Sequence, residues 1–245
     1  MKYMGSKSRL SKFLVPIIQK IIDEKGITTY IEPFVGGANM IDKIKCDNKI
    51  GYDKSKELIA LLNHAKQSTD YPEEVSKELY DKVRTSFNNG DSTYSDTDKG
   101  IVGFLASCKG RFFDGGYSGT RTGKNGVTRN YYDEAKRNLL KQSPNLADTT
   151  FIHINTYSDI IIPDGSLIYC DPPYKDTKQY GTSKGFDHDK FWQWVREISK
   201  NNVVLVSELQ APNDFKCIWS QDLKIAMNND TSKINTEKLF IHIDK

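Results

Sequence analysis

The sequence has few residues that could bind a metal ion or form disulfide bonds. It contains four cysteines and four histidines among 245 residues. The cysteines form no CxxC pair, and the histidines lack the spacing of metal ligands, both to one another and to the cysteines. We therefore expect reduced, structural thiols and no bound metal. The residues concerned are Cys46, Cys108, Cys170, Cys217, His64, His153, His188 and His242.

The sequence also lacks a long hydrophobic run. Its most apolar early stretch, FLVPIIQKII at 13–22, is interrupted by Pro16, Gln19 and Lys20. The first ten residues contain no apolar segment of the kind that a secretory signal requires. Because a membrane-spanning helix needs about 20 predominantly apolar residues, we expect a cytoplasmic protein without a membrane span.

The sequence has little net charge. Its 35 lysines and arginines against 32 aspartates and glutamates give +3 at pH 7, which by itself does not indicate an anionic partner. Residues 107–141, however, contain eight basic and three acidic residues. Glycines and aromatic residues interleave with these cations, which suits phosphate contacts, base-edge reading and filling of the gap left by a flipped base, whereas the alternative is a solvated loop. The aromatic residues are Phe112, Phe113, Tyr117, Tyr131 and Tyr132.

The hydrophobic pattern predicts an α/β fold with an insertion. Short β-rich runs separated by helices favour a mostly parallel sheet that binds its ligand at the carboxyl ends of the strands. Residues 66–149 lack a convincing strand of such a sheet. The predicted strands lie at 28–34, 49–53, 150–155, 166–170, 203–208 and 237–243. The predicted helices lie at 8–24, 55–67, 73–87, 97–107, 132–142 and 187–201.

A glycine pair follows the first predicted strand, in EPFVGGA. Gly36 and Gly37 can adopt positive φ and bring bare backbone close to a ligand, with a helix N-terminus behind them. Asp53 ends the next strand, 17 residues after Gly36, where an acid in such folds accepts hydrogen bonds from a ribose diol. The alternatives are a plain turn for the glycines and a helix N-cap for Asp53.

The tetrapeptide DPPY follows the apolar run SLIYC at the end of a predicted strand. Asp171 only accepts hydrogen bonds when ionised, and the rigid Pro172-Pro173 pair fixes the direction of the Pro172 carbonyl, a second acceptor. Two fixed acceptors suit the exocyclic amine of a nucleobase, because they pull it toward a tetrahedral geometry that frees its lone pair. Tyr174 offers a flat face for the base. The alternative is a strand-ending turn with a core tyrosine.

Four features in this order resemble the Dam-like (D12 class, α-group) N6-adenine DNA methyltransferases: KYMGSK at Lys2–Lys7, EPFVGGA, Asp53 and DPPY. The resemblance covers essentially the whole chain. It implies a Rossmann-like methyltransferase sheet with helices on both faces, formed by residues 1–65 and 150–245, and a mostly helical target-recognition insertion at 66–149. It also implies methyl transfer from S-adenosylmethionine to N6 of a flipped-out adenine in double-stranded DNA, in a bacterium or for a phage in its bacterial host.

The resemblance further implies roles for individual residues. Tyr3 and Lys7 would contact the cofactor from the N-terminal segment, where relatives usually have tryptophan in place of Tyr3. The implied cofactor-binding residues are Tyr3, Lys7, Phe34, Gly36, Gly37, Asp53 and Asp171. The implied catalytic residues are Asp171, Pro172, Pro173 and Tyr174.

The insertion departs from the pattern of relatives that read GATC. Those relatives carry an Asn-Arg pair and an FNxPxG stretch, whereas this chain has SCKGRFFDGGYSGTRTGKNGVTRNYY. The departure argues against GATC as the recognised sequence. We expect a monomer that binds double-stranded DNA through residues of this stretch. The expected DNA-binding residues are Lys109, Arg111, Tyr117, Arg121, Lys124 and Arg129.

Other functions remain open from the residues alone. The same fold and cofactor could methylate cytosine N4, an RNA adenine or a protein glutamine, and a relative without turnover could only bind DNA. An intact DPPY argues against loss of turnover, and the absence of a Pro-Cys nucleophile excludes a C5-cytosine enzyme. The stretch GTRTGKN at 119–125 differs from a phosphate-binding P-loop, because its glycines are one residue too close and Asn125 replaces serine or threonine.

Overall fold

The computed structural model describes residues 1–123, 125–174, 185–228 and 231–243, and of 223–228 and 231–235 it describes the backbone. Strands and helices alternate along much of the chain. The strands are β1 (Thr29–Glu32), β2 (Asn48–Asp53), β3 (Thr120–Thr122), β4 (Thr128–Asn130), β5 (Thr149–His153), β6 (Leu167–Cys170), β7 (Val203–Glu208), β8 (Phe215–Asn228) and β9 (Thr231–His242). The α-helices are α1 (Ser11–Lys25), α2 (Lys56–Gln67), α3 (Lys77–Asn89), α4 (Asp96–Gly100), α5 (Tyr131–Gln142) and α6 (His188–Ile198).

The main sheet has seven strands in the order β5-β2-β1-β6-β7-β9-β8. The five strands from β5 to β7 are parallel, while β9 pairs antiparallel with both β7 and β8. From β1 the chain moves outward through β2 to β5, and it then returns to form β6 on the other side of β1. The strand order therefore reverses between β1 and β6.

Helices cover both faces of the sheet. Tyr30 of β1 lies in one apolar cluster with Leu14 of α1 and Leu58 of α2. The next residue, Ile31, points to the opposite face and shares a second cluster with Phe191 of α6. This alternation follows from the two-residue period of a strand whose two faces are both buried. The predicted α/β fold, with helices on both faces of a mostly parallel sheet, is confirmed.

Local signals in the sequence set the ends of these helices. The Ser55 hydroxyl accepts a hydrogen bond from the Leu58 amide at 3.2 Å and caps α2. The Asp187 carboxylate accepts one from the Lys190 amide at 3.0 Å and caps α6. Gly26 ends α1 with a φ of +61°, a left-handed conformation that glycine adopts at little cost. Side-chain acceptors thus cap the N-termini of α2 and α6, and a glycine ends α1.

The insertion between α2 and β5 contains α3, α4, α5 and the antiparallel hairpin β3–β4. A π-helix at Ile101–Leu105 continues α4, so the helix predicted at 97–107 changes its winding partway along. Tyr80 of α3 and Leu139 of α5 lie in the same apolar cluster as Tyr30 of the sheet. The insertion therefore shares an apolar core with one face of the main sheet.

Two pairs of strands differ from the sequence prediction. The β3–β4 hairpin lies in a stretch interpreted as an irregular loop, because its strands have three residues each and consist of threonine, arginine and asparagine. Strand β8 was not predicted, and β9 begins at Thr231, earlier than the predicted 237. Both β8 and β9 have many polar residues, so hydrophobicity marks only the end of β9. Their long antiparallel pairing closes one edge of the sheet.

Candidate active site

The candidate site lies at the carboxyl ends of β1, β2 and β6. The loops after β1 and β6 leave the sheet in opposite directions, because the strand order reverses between these two strands. In open α/β sheets a crevice at this point is the usual ligand site. The chain places EPFVGGA after β1, Asp53 at the end of β2 and Asp171 directly after β6. Motifs that are distant in sequence therefore meet at one edge.

The glycine turn after β1 is packed against Tyr3. Gly36 has a φ of +49°, and a Cβ atom there would lie 2.9 Å from the Tyr3 ring. A Cβ atom on Gly37 would lie 2.7 Å from the Cβ of Tyr3. Both glycines are therefore needed for the close approach of the N-terminal segment. This segment and the turn form one wall of the crevice.

Asp53 ties the end of β2 to this turn. Its Oδ2 accepts a hydrogen bond from the Gly36 amide at 3.1 Å, and its Oδ1 accepts one from the Ser55 amide at 3.0 Å. Since Ser55 provides the cap of α2, the alternative of Asp53 as the N-cap is wrong. Burial raises the pKa of Asp53, although the two amides act in the opposite direction.

Lys7, Asp171, Tyr174 and Glu237 form a compact cluster at the end of β6. Lys7 Nζ lies 2.9 Å from Asp171 Oδ1 and 3.7 Å from Glu237 Oε2. The same ammonium lies 4.4 Å from the centre of the Tyr174 ring. The Tyr174 hydroxyl donates a hydrogen bond to Glu237 Oε2 at 2.6 Å. One cation thus neutralises part of the charge of two carboxylates and covers one face of the aromatic ring.

The environment changes the proton affinities of this cluster. Burial by itself would lower the pKa of Lys7, but Asp171 and Glu237 outweigh this effect and raise it. Burial raises the pKa of Asp171, and Lys7 partly opposes the rise. Lys7 therefore remains a cation near neutral pH, and its charge favours the ionised form of the aspartate beside it. An ionised Asp171 has acceptor capacity beyond the oxygen that Lys7 contacts.

The two prolines connect Asp171 and Tyr174 of this cluster. Pro172 is buried and Pro173 is partly buried, directly after the last residue of β6. Neither residue has an N–H group, and both have a fixed φ. Tyr174 follows them and is anchored by Glu237. All four residues of DPPY thus lie at the crevice.

An aromatic cluster lies beside the other end of the turn. Phe34 has ring centroids of Tyr157, Phe186 and Phe191 within 5.7 to 5.9 Å. Tyr157 follows β5, the strand next to β2. Together these rings, tilted or edge-on to one another, form an apolar wall. Sequence reasoning identified only Phe34, because the rings come from three distant segments.

The insertion contacts the site at two points. Gln142 of α5 donates hydrogen bonds to the carbonyls of Gly37 and Ala38 at 3.1 and 2.8 Å. At Gly110 a Cβ atom would lie 2.4 Å from the Lys2 carbonyl oxygen, so the insertion backbone lies directly against the N-terminal segment. Sequence reasoning also missed Gln142. Gln142 is the last residue of the amphipathic helix α5, and nothing in the sequence there indicates that it binds the glycine turn.

The expected DNA-binding residues lie in different settings. Arg121 and Arg129 are exposed and directly opposite each other on the β3–β4 hairpin. Arg129 Nε and Nη2 donate to Glu134 at 2.7 and 2.8 Å, and Arg121 Nη2 donates to the Tyr117 carbonyl at 3.1 Å. Lys109 is exposed in a turn with a φ of +59°. The two hairpin arginines form the clearest cationic feature among the described residues of this stretch.

The other expected DNA-binding residues are less accessible or lie outside the description. Arg111 is partly buried. The Tyr117 hydroxyl donates to the Val75 carbonyl at 2.6 Å, and its ring packs against Tyr80. Lys124 lies outside the described residues. Arg111 and Tyr117 are thus more closely associated with the body of the insertion than the hairpin arginines are.

Several aromatic residues of the insertion belong to its core. Phe113 and Tyr132 are 4% and 1% exposed. The Phe112 ring lies 4.7 Å from Phe104 and 4.8 Å from Phe87. The interpretation of Phe113 and Tyr132 as base-contacting groups is therefore wrong in this structure, whereas Phe112 is partly buried. Phe113 and Tyr132 are buried because the helices of the insertion need an apolar core of their own.

Neither a metal centre nor a membrane helix is found in the part of the chain that the structure describes. There, no group of three or more histidine, cysteine, aspartate or glutamate side chains could hold a metal ion. Among the same residues, no helix combines the length and the apolar character needed to cross a membrane. The four cysteines are free thiols.

The fold and the site together define an open α/β protein whose candidate site lies where the strand order reverses. Asp53 and the glycine turn lie at the ends of β2 and β1, and DPPY follows β6. The chain belongs to the D12 class N6 adenine-specific DNA methyltransferases, a family that it matches over residues 3–217. The resemblance seen in the motifs is therefore confirmed, and with it the activity of an adenine-specific DNA methyltransferase.

Similar proteins include other methyltransferases. The chain is 26% identical over 247 residues to the type II methyltransferase M.MjaIII of Methanocaldococcus jannaschii. The match covers 88% of this chain and 85% of that protein. Among solved structures, the rRNA methyltransferase AviRa of Streptomyces viridochromogenes has 12% identity and a TM-score of 0.42, over 98% of this chain and 86% of that one. A methylase of Haemophilus influenzae has 8% identity and a TM-score of 0.36, over 97% and 88% of the respective chains.

Proposed function

We propose that the protein transfers a methyl group from S-adenosylmethionine to N6 of an adenine flipped out of double-stranded DNA. Family membership gives the reaction class. The observation that carries the residue assignment is the position of Asp171, which lies at the end of β6, paired with Lys7 at 2.9 Å. It is beside the point where the strand order reverses, so one crevice can bring donor and amine together.

The residues of the crevice fit the proposed methyl donor. S-adenosylmethionine supplies a methyl group bonded to a positively charged sulfur, which becomes a neutral thioether when the methyl group leaves. We assign the ribose to Asp53, because its carboxylate lies at the end of β2 and has further acceptor capacity. We assign the adenine end to the apolar wall of Phe34, Tyr157 and Phe186. The carboxylates of the crevice complement the positive charge of the donor.

Asp171 and Pro172 act on the target amine in this proposal. The Asp171 carboxylate and the Pro172 carbonyl accept the two N–H groups of N6 and favour a tetrahedral nitrogen, whose lone pair then points at the methyl carbon. The new N–C bond forms as the C–S bond breaks, and the electron pair of the C–S bond remains on sulfur. N6 then loses one proton, which Asp171 is placed to accept. The contribution of the chain is orientation and electrostatics.

The hairpin of the insertion is the proposed DNA contact. A two-stranded ribbon can enter the major groove, and arginine is the commonest side chain that reads guanine there. Arg121 and Arg129 lie opposite each other on such a ribbon. Since Arg129 is bound to Glu134, it must exchange this carboxylate for phosphate or a base. We propose that the protein does this as a monomer in the cytoplasm.

The test is methylation of DNA by matched variants. Wild-type protein is incubated with labelled S-adenosylmethionine and DNA of mixed sequence, and the DNA is digested to nucleosides. We expect label in N6-methyl-2′-deoxyadenosine, abolished in Asp171→Ala and retained in Asp164→Ala, a change at an exposed aspartate in the turn before β6. Label only in N4-methyl-2′-deoxycytidine, or only in RNA or protein, would refute the proposal. Normal transfer by Asp171→Ala would refute the role assigned to that residue.

A further inference from the structure

Glu237 lies outside the part of the chain that matches the family, which ends at residue 217. It is a residue of β9, whose next residue, Lys238, pairs with Glu208 at the carboxyl end of β7. Strand β7 is the neighbour of β6, and β6 leads directly to Asp171. The antiparallel direction of β9 therefore places a second acid at the edge where DPPY lies.

The Glu237 carboxylate contacts two members of the DPPY cluster. It accepts the hydrogen bond of the Tyr174 hydroxyl at 2.6 Å, and it lies 3.7 Å from Lys7 Nζ. The carboxylate is largely buried, with 14% of the side chain exposed. A buried carboxylate with two such partners has a fixed orientation, because each contact restricts it in a different direction.

The hydroxyl proton of Tyr174 can be donated to one acceptor at a time, either Glu237 or Asp171. Burial, together with Asp171 and Glu237, raises the pKa of Tyr174, so its hydroxyl remains a donor at neutral pH. Asp171 belongs to the same cluster, since Lys7 Nζ lies 2.9 Å from Asp171 Oδ1 and 4.4 Å from the centre of the Tyr174 ring, and the nearby Tyr174 hydroxyl acts to lower the pKa of that carboxyl. Tyr174 has a single hydroxyl proton to donate. A hydroxyl that turns fully to Asp171 competes with the target amine for the same acceptor.

We propose that Glu237 is a positioning residue for methyl transfer: it takes the hydroxyl hydrogen bond of Tyr174, so that Asp171 keeps an oxygen available for the target amine. The same contact fixes the plane of the Tyr174 ring on which the base stacks. Together with Asp171, Glu237 also keeps Lys7 against the other face of the ring. This inference rests on the proposed roles of Asp171 and Tyr174 in amine methylation.

The first test separates chemistry from binding. In Glu237→Ala we expect the single-turnover rate of methyl transfer to fall about 10- to 100-fold, the range for a lost hydrogen bond to a charged group. The dissociation constants for S-adenosylmethionine and DNA should change less than about 3-fold, because Glu237 acts after both are bound. In Glu237→Gln the amide oxygen can still accept from Tyr174, so this variant should recover most of the rate.

Thr236→Val is the matched control. Thr236 is the preceding residue of β9, and its hydroxyl donates to Asp222 at 2.6 Å on the exposed side of the strand. Loss of that hydrogen bond should leave the rate unchanged. A Glu237→Ala rate within 2-fold of wild type would refute the inference. If Glu237→Ala does not fold, the folded Glu237→Gln variant takes its place in the test. A single-turnover rate reduced 100-fold or more in Glu237→Gln would also refute the inference.

A spectroscopic signal and a double mutant test the route through Tyr174. With 2-aminopurine in place of the target adenine, we expect higher fluorescence in Glu237→Ala than in wild type, because a misplaced ring stacks less on the flipped base. In a Tyr174→Phe background, Glu237→Ala should cost much less than it does alone. Additive losses, or unchanged fluorescence, would overturn the inference. Failure of the wild type to methylate adenine would instead refute the proposed function.

Discussion

Removal of the Lys7 ammonium should destabilise the folded protein in a pH-dependent way. In Lys7→Met the side chain keeps its approximate length and loses its charge. At an effective dielectric constant of about 20, the attraction of Lys7 is about 6 kcal/mol to Asp171 at 2.9 Å and about 4.5 kcal/mol to Glu237 at 3.7 Å. Desolvation of the ammonium, which is 8% exposed, offsets much of this. Removal of one partner of a buried ion pair typically costs about 3–5 kcal/mol.

The pH dependence follows from the sign of the aspartate shift. Burial raises the pKa of Asp171 in the folded protein above its unfolded value, and loss of Lys7 removes the charge that opposes this rise. The folded state then binds a proton more readily than the unfolded state, so stability falls as the pH rises through this window. We expect Lys7→Met to lose about 3–5 kcal/mol at pH 8, and clearly less at pH 5.5.

Urea denaturation at the two pH values measures both quantities. Lys20→Met is the control, since Lys20 is 72% exposed and lies 3.7 Å from Glu24 in an exposed pair. An exposed pair of this kind contributes about 0.3–0.5 kcal/mol. Two results would contradict the reasoning. One is a loss below about 1 kcal/mol for Lys7→Met at pH 8, and the other is an equal loss at pH 8 and pH 5.5.

Two further predictions concern the glycine turn and the hairpin. Gly36→Ala should weaken S-adenosylmethionine binding about tenfold or more in calorimetry, because its φ is +49° and its Cβ would meet the Tyr3 ring at 2.9 Å. Gly26→Ala, also at positive φ but with open space around its Cβ, should lower stability and leave cofactor affinity unchanged; equal affinities in both variants would contradict this. Arg121→Ala should weaken DNA binding at all sequences and reduce the slope of log K against log salt by about 1 if the arginine contacts phosphate. Lys200→Ala, at an exposed residue between α6 and β7, should leave the slope unchanged, and the same slope in both variants would place the DNA elsewhere.

Much of the fold could be predicted because its signals are local. The strands that became β1, β2, β6 and β7 are apolar runs, and helices such as α2 and α6 have amphipathic spacing with a capping residue. Strand β8 and the β3–β4 hairpin could not be predicted, because polar residues interrupt the apolar ones of β8 and make up the hairpin strands, and pairing with their partners keeps them extended. A polar strand at the edge of a sheet has little hydrophobic pattern to detect.

The site was predictable only in part, for the same reason. Gly36, Asp53 and Asp171 follow strands at positions where a parallel sheet presents its ligand residues, so order along the chain was sufficient to propose them. Glu237 and Gln142 come from an antiparallel strand and from the insertion. Their roles depend on distances of 2.6 to 3.7 Å across the fold. No motif in the sequence encodes these contacts.

The sequence by itself predicted the reaction class through a family resemblance, because DPPY, the glycine turn and Asp53 are particular residue types at the ends of strands. The tertiary structure decided which charges surround the reacting group. It brought Lys7 over the Tyr174 ring and Glu237 to the Tyr174 hydroxyl, and it moved Phe113 and Tyr132 from expected DNA contacts into the core. The physical reason is that a motif specifies local backbone and chemistry, whereas burial and ion pairing depend on segments that meet only when the whole sheet has formed.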